Sequence, residues 1–465
     1  MKKTILTLSL AVLLIGAFAQ KRQGAITLDM VKNIQENYKK QHDNKAMINA
    51  VSNNKLHNLA VNRATYGKYD DYFKYQVNVS GITNQKSSGR CWLFASLNVF
   101  RPKVMEKLNV SSFYFSQNYL FFCDQFEKSN LFLQEIINTG KKPMNDKRVE
   151  WLFKSPISDG GVWNNFVNIV EKYGAVPSKV MPETYSGEHT RDMGKILKMK
   201  LRENGLELRK MIAKKSSKKK VMARKLEMMQ DIYKILVYNL GEPPVNFSWR
   251  YKDKKGNVSA LKEYTPLSFW KEMLPNVKLD EYVLLMNDAS RPYYKLYEID
   301  MDRNTVEGNN WKYVNLPADV VSKICVKSIK GNEAMYYSCD VGKQLDREKG
   351  IESLTNYDYE SIYGIKFGMN KAERIKTFHS GSSHGMLLCG VDVDENENPT
   401  KWKVENSWSA SSGHKGYLIT TNDWFEEYMF RIVVLKKFIN MKVEHVLKQK
   451  STLLPPWDPM FEMDK

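Results

Sequence analysis

Gln85-Lys86-Ser87-Ser88-Gly89-Arg90-Cys91-Trp92-Leu93-Phe94-Ala95-Ser96 is the stretch on which the reading of this chain turns. A polar, glycine-containing loop runs into an apolar segment, so a helix is expected to begin at Cys91. Helix N-termini carry unpaired N–H groups and partial positive charge. Both favour a thiolate, the nucleophilic form of cysteine. Behind Cys91, the residues Phe94, Leu97, Val99, Phe100 and Val104 give an apolar face, which predicts a buried central helix. Gln85 precedes Cys91 in the loop. Its side-chain N–H group and the backbone N–H of Cys91 could together donate to a tetrahedral oxyanion.

A thiolate nucleophile needs a base, and the base needs an orienting group. The later part of the chain offers both. His384 opens Ser383-His384-Gly385-Met386-Leu387-Leu388-Cys389-Gly390-Val391-Asp392, a polar start feeding an apolar run. That pattern predicts an imidazole held at the end of a buried strand. Asn406, in Lys403-Val404-Glu405-Asn406-Ser407-Trp408, also follows a strand-like run. Its side-chain oxygen would accept from one ring nitrogen and leave the other facing the thiolate, with Trp408 shielding the bond from water. His379 and His414 compete for the base position. His379 lacks a following strand, and His414 lies in the glycine-flanked turn Gly413-His414-Lys415-Gly416.

Composition bounds the alternatives. The chain has 465 residues, 42% hydrophobic and 26% charged, with 10 Trp and 25 Tyr. This excludes a disordered chain and a disulfide-dense miniprotein. The formal net charge of +19 suits a surface that meets anions or acidic partners. Five cysteines, at 91, 123, 325, 339 and 389, leave at least one thiol unpaired within the chain, and no C-x-x-C pair is present. Cys123, Cys339 and Cys389 have apolar or aromatic neighbours and read as small buried hydrophobes.

Residues 1–19 read as a secretory signal peptide: Lys2 and Lys3, an uncharged apolar run over residues 5–19, and the small residues Ala17 and Ala19 before Gln20. The expected location is therefore exported, periplasmic or secreted. No later segment is apolar enough to span a membrane. Residues 20–185 are expected to form an N-terminal extension and a helical lobe, and residues 186–245 a helical insertion. A β-rich lobe is expected over 246–445 and an extended C-terminal arm over 446–465. Short strands are expected at 282–286, 320–326, 335–339, 385–393, 401–404 and 431–435. The prolines at 455, 456 and 459 argue against helix in the tail, and Trp457 is a candidate anchor for it. Between Arg191 and Lys225 stand 14 Lys or Arg against 3 Asp or Glu. This block reads as a solvated helical face, an assembly surface or a nucleic-acid contact. Residues 214–220 are expected to be an exposed turn between two helices.

With these residues in view, the chain resembles the papain-family cysteine peptidases, and among them the bleomycin hydrolase/aminopeptidase C branch. The resemblance rests on Ser-Gly-Arg-Cys-Trp at 88–92, Phe-Ser-Gln-Asn-Tyr at 115–119, and Asp-Gly-Gly-Val-Trp at 159–163. It continues in Cys-Asp-Val-Gly-Lys at 339–343, Asn-Ser-Trp at 406–408, His-Lys-Gly-Tyr at 414–417, and Trp-Asp-Pro-Met at 457–460. It implies an α+β, papain-like, two-lobed fold with a helical insertion and a C-terminal arm. It also implies Cys91 as nucleophile, His384 as base, Asn406 as its orienting group and Gln85 in the oxyanion hole. Gly160 and Gly161 match the loop that pairs with the substrate main chain, and Trp408 belongs to the same substrate region. The family's arm returns to the cleft, which would bring the carboxylate of Lys465 to the substrate's amino group and make an aminopeptidase. A homohexamer is implied as well. Peptides are the expected substrates, and no metal or organic cofactor is implied.

Three features depart from the family pattern. The base sits in Gly381-Ser382-Ser383-His384-Gly385-Met386 where the family has Met-Thr-His-Ala-Met, a small-residue approach that suggests a looser loop. Phe461 stands where relatives often have glycine, and its bulk could redirect the arm. Glu462 and Asp464 add acidic charge there. An endopeptidase on the same fold and a non-catalytic nucleic-acid-binding scaffold are the alternative readings.

Overall fold

A computed structural model describes residues 24–41 and 44–462. The expected signal peptide and Lys465 lie outside the described residues. The chain divides into two compact units. The smaller one, within residues 24–61 and 358–365, is helical, with helices Leu28–Gln41, Lys45–Asn53, Leu56–Leu59 and Tyr359–Tyr363. The larger one, residues 62–357 and 366–462, holds every residue of the candidate site described below.

In the larger unit, helix α1 spans Cys91–Leu108, α2 Gln117–Asn138 and α3 Trp163–Tyr173. Trp92, Leu93, Phe94, Leu97, Phe100 and Val104 of α1 are all buried, so the expected central helix is present. Phe100 packs against Trp163 and Phe166 of α3, with ring centroids 5.7 Å away in both cases, and against Trp270 at 5.3 Å. The basic block forms an antiparallel pair, α4 (Arg191–Ala213) and α5 (Lys218–Leu240), which packs on α2. Ser217 caps α5 through the amide of Lys220, so the turn is shorter than expected and Lys218, Lys219 and Lys220 are helical.

The sheet runs in the order β1 (Tyr282–Met286), β6 (Met429–Leu435), β2 (Met335–Cys339), β3 (His384–Val393), β4 (Pro399–Glu405), β5 (Tyr417–Thr421) at its centre. Strand β3 is buried from His384 to Val391, and α1 packs across it. In the β3/β2 ladder His384 pairs with Cys339 and Gly385 with Ser338. Strand β7 (Thr452–Leu454) joins the sheet edge in parallel with residues 295–299.

Two expectations are corrected. Residues 320–326 lie in helix α6 (Ala318–Lys330), not in a strand. The run is β-branched, yet Val321, Ile324, Cys325, Ser328 and Ile329 are buried at helical spacing. Pro317 starts the helix and Gly331 follows it. The tail also contains a short helix, α7 (Pro459–Glu462). Pro459 takes the first helical position, where a missing N–H costs nothing, and the Asp458 carboxylate accepts from the Met460 amide at 3.0 Å.

Candidate active site

The loop before α1 is held from several directions. The Gly89 amide donates to Asp159 Oδ2 at 2.7 Å, and the Trp92 indole N–H donates to the Asp159 carbonyl at 3.0 Å. A side chain at Gly89 would come within 2.4 Å of Asp159, so glycine is needed for this approach. Arg90 is fully buried. It binds both carboxylate oxygens of Glu183 (3.1 and 2.8 Å), donates to Ser88 Oγ at 3.0 Å, and lies 5.3 Å from the ring centres of Phe94 and Phe121. The loop therefore delivers Cys91 at the first position of an 18-residue helix, half-exposed in a cleft of about 260 Å³.

His384 begins β3 on the opposite wall, and the neighbouring Gly385 amide donates to Cys91 Sγ at 3.4 Å. His384 Nε2 lies 2.8 Å from Asn406 Oδ1. The same oxygen accepts from the Ser407 amide at 2.7 Å. A backbone N–H can only donate, so the Asn406 oxygen must point this way. Nε2 therefore carries a proton, and Nδ1 is the ring nitrogen left for acid–base work. Trp408 stacks on the imidazole, centroids 4.8 Å apart at 29°, as a shield for the Asn406 bond would.

Burial pushes the His384 pKa down to about 4; the Asn406 bond pulls it up, and the charge of Arg347 pushes it down again. An imidazolium here requires a counter-charge, which a thiolate at Cys91 would supply. The other four cysteines are free and buried, and burial pushes each of those thiols up. They stay protonated and inert.

Gln85 is fixed at both ends. Its Oε1 accepts from Ser407 Oγ at 2.6 Å, its backbone N–H donates to the Ser407 carbonyl at 2.8 Å, and Nε2 donates to the Ser88 carbonyl at 2.6 Å. One Nε2 proton remains for an oxyanion. Gly160 and Gly161 line the same cleft as Gln85, Cys91 and His384. A side chain at Gly161 would meet Trp92 at 2.7 Å. Asn406 and Trp408 back His384.

The competing histidines are elsewhere. His414 Nε2 lies 3.0 Å from Asp71 Oδ2, and His379 accepts through its carbonyl from Lys343 Nζ at 2.8 Å. The approach to His384 is not loose, contrary to expectation. Ser380 Oγ donates to Asp340 at 2.7 Å, Ser382 Oγ to Ser338 Oγ at 2.9 Å, and the Ser383 amide to the Cys339 carbonyl at 2.9 Å.

Several supporting residues escaped the sequence reading. Arg101 of α1 and Glu405 of β4 form a buried ion pair at 2.6 Å, completed by Asn98, which donates to Glu405 at 2.8 Å. This pair ties the helix that starts at Cys91 to the residue before Asn406. Buried Arg431 of β6 also lines the cleft, and its Nη2 donates to the Met460 carbonyl at 2.5 Å. Asp458 and Met460 are the buried anchors of the tail, with Asp458 bound to Arg291 at 2.9 Å. Trp457 is half-buried beside Lys147, whose Nζ lies 4.3 Å from the ring centre. Phe461 packs on Trp151 at 6.1 Å, so its bulk is accommodated to the side. None of these pairings leaves a local signal in the sequence.

Comparison with known proteins follows the same line. Residues 25–461 match the Peptidase C1-like family. Human bleomycin hydrolase is 40% identical over 423 residues, 89% of this chain and 93% of that protein. Aminopeptidase C of Streptococcus thermophilus is 35% identical over 438 residues, 94% of this chain and 98% of that protein. The crystal structure of PepW from Lactobacillus rhamnosis superposes with a TM-score of 0.90 at 36% identity, covering 94% of this chain and 99% of that one. The chain thus belongs to the Peptidase C1-like family and is an α+β, papain-like cysteine peptidase of the bleomycin hydrolase/aminopeptidase C type.

Proposed function

We propose that the protein is an exported aminopeptidase in which Cys91 is the nucleophile. The thiolate attacks the scissile carbonyl, and the oxyanion is held by Gln85 Nε2 and the Cys91 amide. His384 Nδ1 protonates the leaving amine and then activates water against the thioester, while Asn406 holds the ring in its Nε2–H orientation. Gly160 and Gly161 seat the substrate main chain.

The observation that favours an aminopeptidase is the Met460 carbonyl on Arg431, at the lining of the cleft that holds Cys91. A tail held against that wall would narrow the space where residues before a substrate's N-terminal residue would lie. Turnover of matched free and N-acetylated peptides tests this: a strong preference for free amines is expected, and equal rates favour the endopeptidase reading.

Export rests on residues 1–19, and N-terminal sequencing of the secreted protein should begin at Gln20. Assembly into a homohexamer is the second part of the proposal. It is supported by Met199, Leu226 and Tyr238, left exposed among the lysines of α4 and α5. Sedimentation should give six copies. A salt-sensitive complex with nucleic acid would favour the scaffold reading instead.

A further inference from the structure

The turn between residues 345–346 and 351–352 carries a cation that the chemistry above does not use. Gly350 (φ +67°) packs so closely that a side chain there would come within 2.5 Å of the His414 amide, and its own amide bonds the Asp346 carbonyl at 2.9 Å. Lys349 takes the Asp346 carboxylate at 2.8 Å and lies 3.2 Å from the Tyr66 ring centre. The turn is thereby fixed: Asp346 is paired with Lys349, and the exposed Glu348 forms no salt bridge among the described residues. Arg347 is left exposed, without a carboxylate partner among the described residues. Its guanidinium carbon lies 4.8 Å from the centre of the Trp408 ring, and Trp408 stacks on His384. The indole thus lies in contact with both the imidazole and a free cation.

The position has a chemical consequence. The leaving amine collects its proton from His384, so the residue after the scissile bond departs along the His384 side of the cleft. Trp408 and Arg347 stand on that side. A guanidinium resting on an aromatic face keeps its in-plane N–H groups for a carboxylate, which it can bind in bidentate fashion. We propose that Arg347 selects substrates bearing a carboxylate on the leaving-group residue. That carboxylate is either an Asp or Glu side chain immediately after the scissile bond or the free C-terminus of a dipeptide. The inference rests on the assignment of Cys91 and His384 above.

The test compares kcat/KM for two matched pairs on the full chain: Glu against Gln after the scissile bond in amidated peptides, and a dipeptide with a free against an amidated C-terminus. Each is measured with free and with N-acetylated substrates. An exposed charged contact of this kind is expected to give a preference of roughly two- to fivefold for the carboxylate, weakening with added salt. Preference in the first pair identifies a side chain as the source, and preference in the second a terminal carboxylate. Arg347→Met should bring the ratio to about one, Arg347→Lys should keep part of it, and Arg347→Glu should invert it towards a Lys leaving-group residue. A ratio near one in the wild type, or one unchanged in Arg347→Met, overturns the proposal. Carboxylate preference confined to N-acetylated substrates would sink the aminopeptidase reading and leave this inference standing.

Discussion

Residues 85–96 line the cleft and residues 452–462 touch its wall through Arg431, but the two segments are held differently. The first segment is locked by buried contacts on every side: Arg90 with Glu183, Gly89 and Trp92 with Asp159, Gln85 with Ser407. The second hangs from a sheet edge and a few points, Asp458 on Arg291, Met460 on Arg431 and Phe461 on Trp151. A nucleophile tolerates little positional error, so its loop must be overdetermined. If the tail decides which peptides enter, as proposed, it can rest on fewer contacts. The difference teaches that rate and selectivity should be separable by mutation.

The largest effect is expected at the rigid end. Cys91→Ala should abolish turnover while thermal unfolding stays near wild type, because the catalytic steps act as a unit. His384→Ala should come next. Gln85→Ala should lower kcat by roughly 10²–10³, the usual loss for one oxyanion donor. Asn406→Ala should cost less than His384→Ala, since it orients the ring without transferring a proton. If His379→Ala silences the enzyme and His384→Ala does not, the base has been misassigned. At the other end, Arg431→Met should change the preference between free and blocked amines more than the rate on a good substrate. Equal damage to both would erase the contrast between the two segments.

Stability offers smaller, sharper tests. Arg101→Met leaves Glu405 buried without its cation and should destabilise by about 3–5 kcal/mol, read by urea unfolding. Glu352 is buried against Thr420 Oγ1 at 2.5 Å, and burial raises its pKa from 4.5 to about 8. Between those values the folded chain holds a proton that the unfolded chain releases. Its contribution is full below about pH 4.5 and is lost as pH rises towards 8, by about 1.4 kcal/mol per pH unit. Glu352→Gln should remove that slope; an unchanged slope would mean the carboxyl is ionised in the folded chain.

Much of the cleft was legible because its signals are local. A loop running into an apolar stretch marked the helix at Cys91, and polar residues bounding apolar runs marked His384 and Asn406. The seven residues 320–326 were misread because a short β-branched run fits a strand or a buried helix equally well. Pro459 was read as a helix breaker although the first helical position accepts it. The Arg101–Glu405 pair, the contact of Arg431 with the tail and the place of Arg347 join residues far apart in the chain, and only the folded sheet brings them together.

The most direct test takes the full chain and a chain lacking Met463, Asp464 and Lys465, and compares their turnover of one peptide with a free and with an acetylated N-terminus. If the rigid wall supplies the chemistry and the tail the selectivity, the shortened chain should still cleave. It should lose rate on the free peptide and gain cleavage of the acetylated one or of internal bonds. The same preference for free over acetylated peptide in both chains would contradict it.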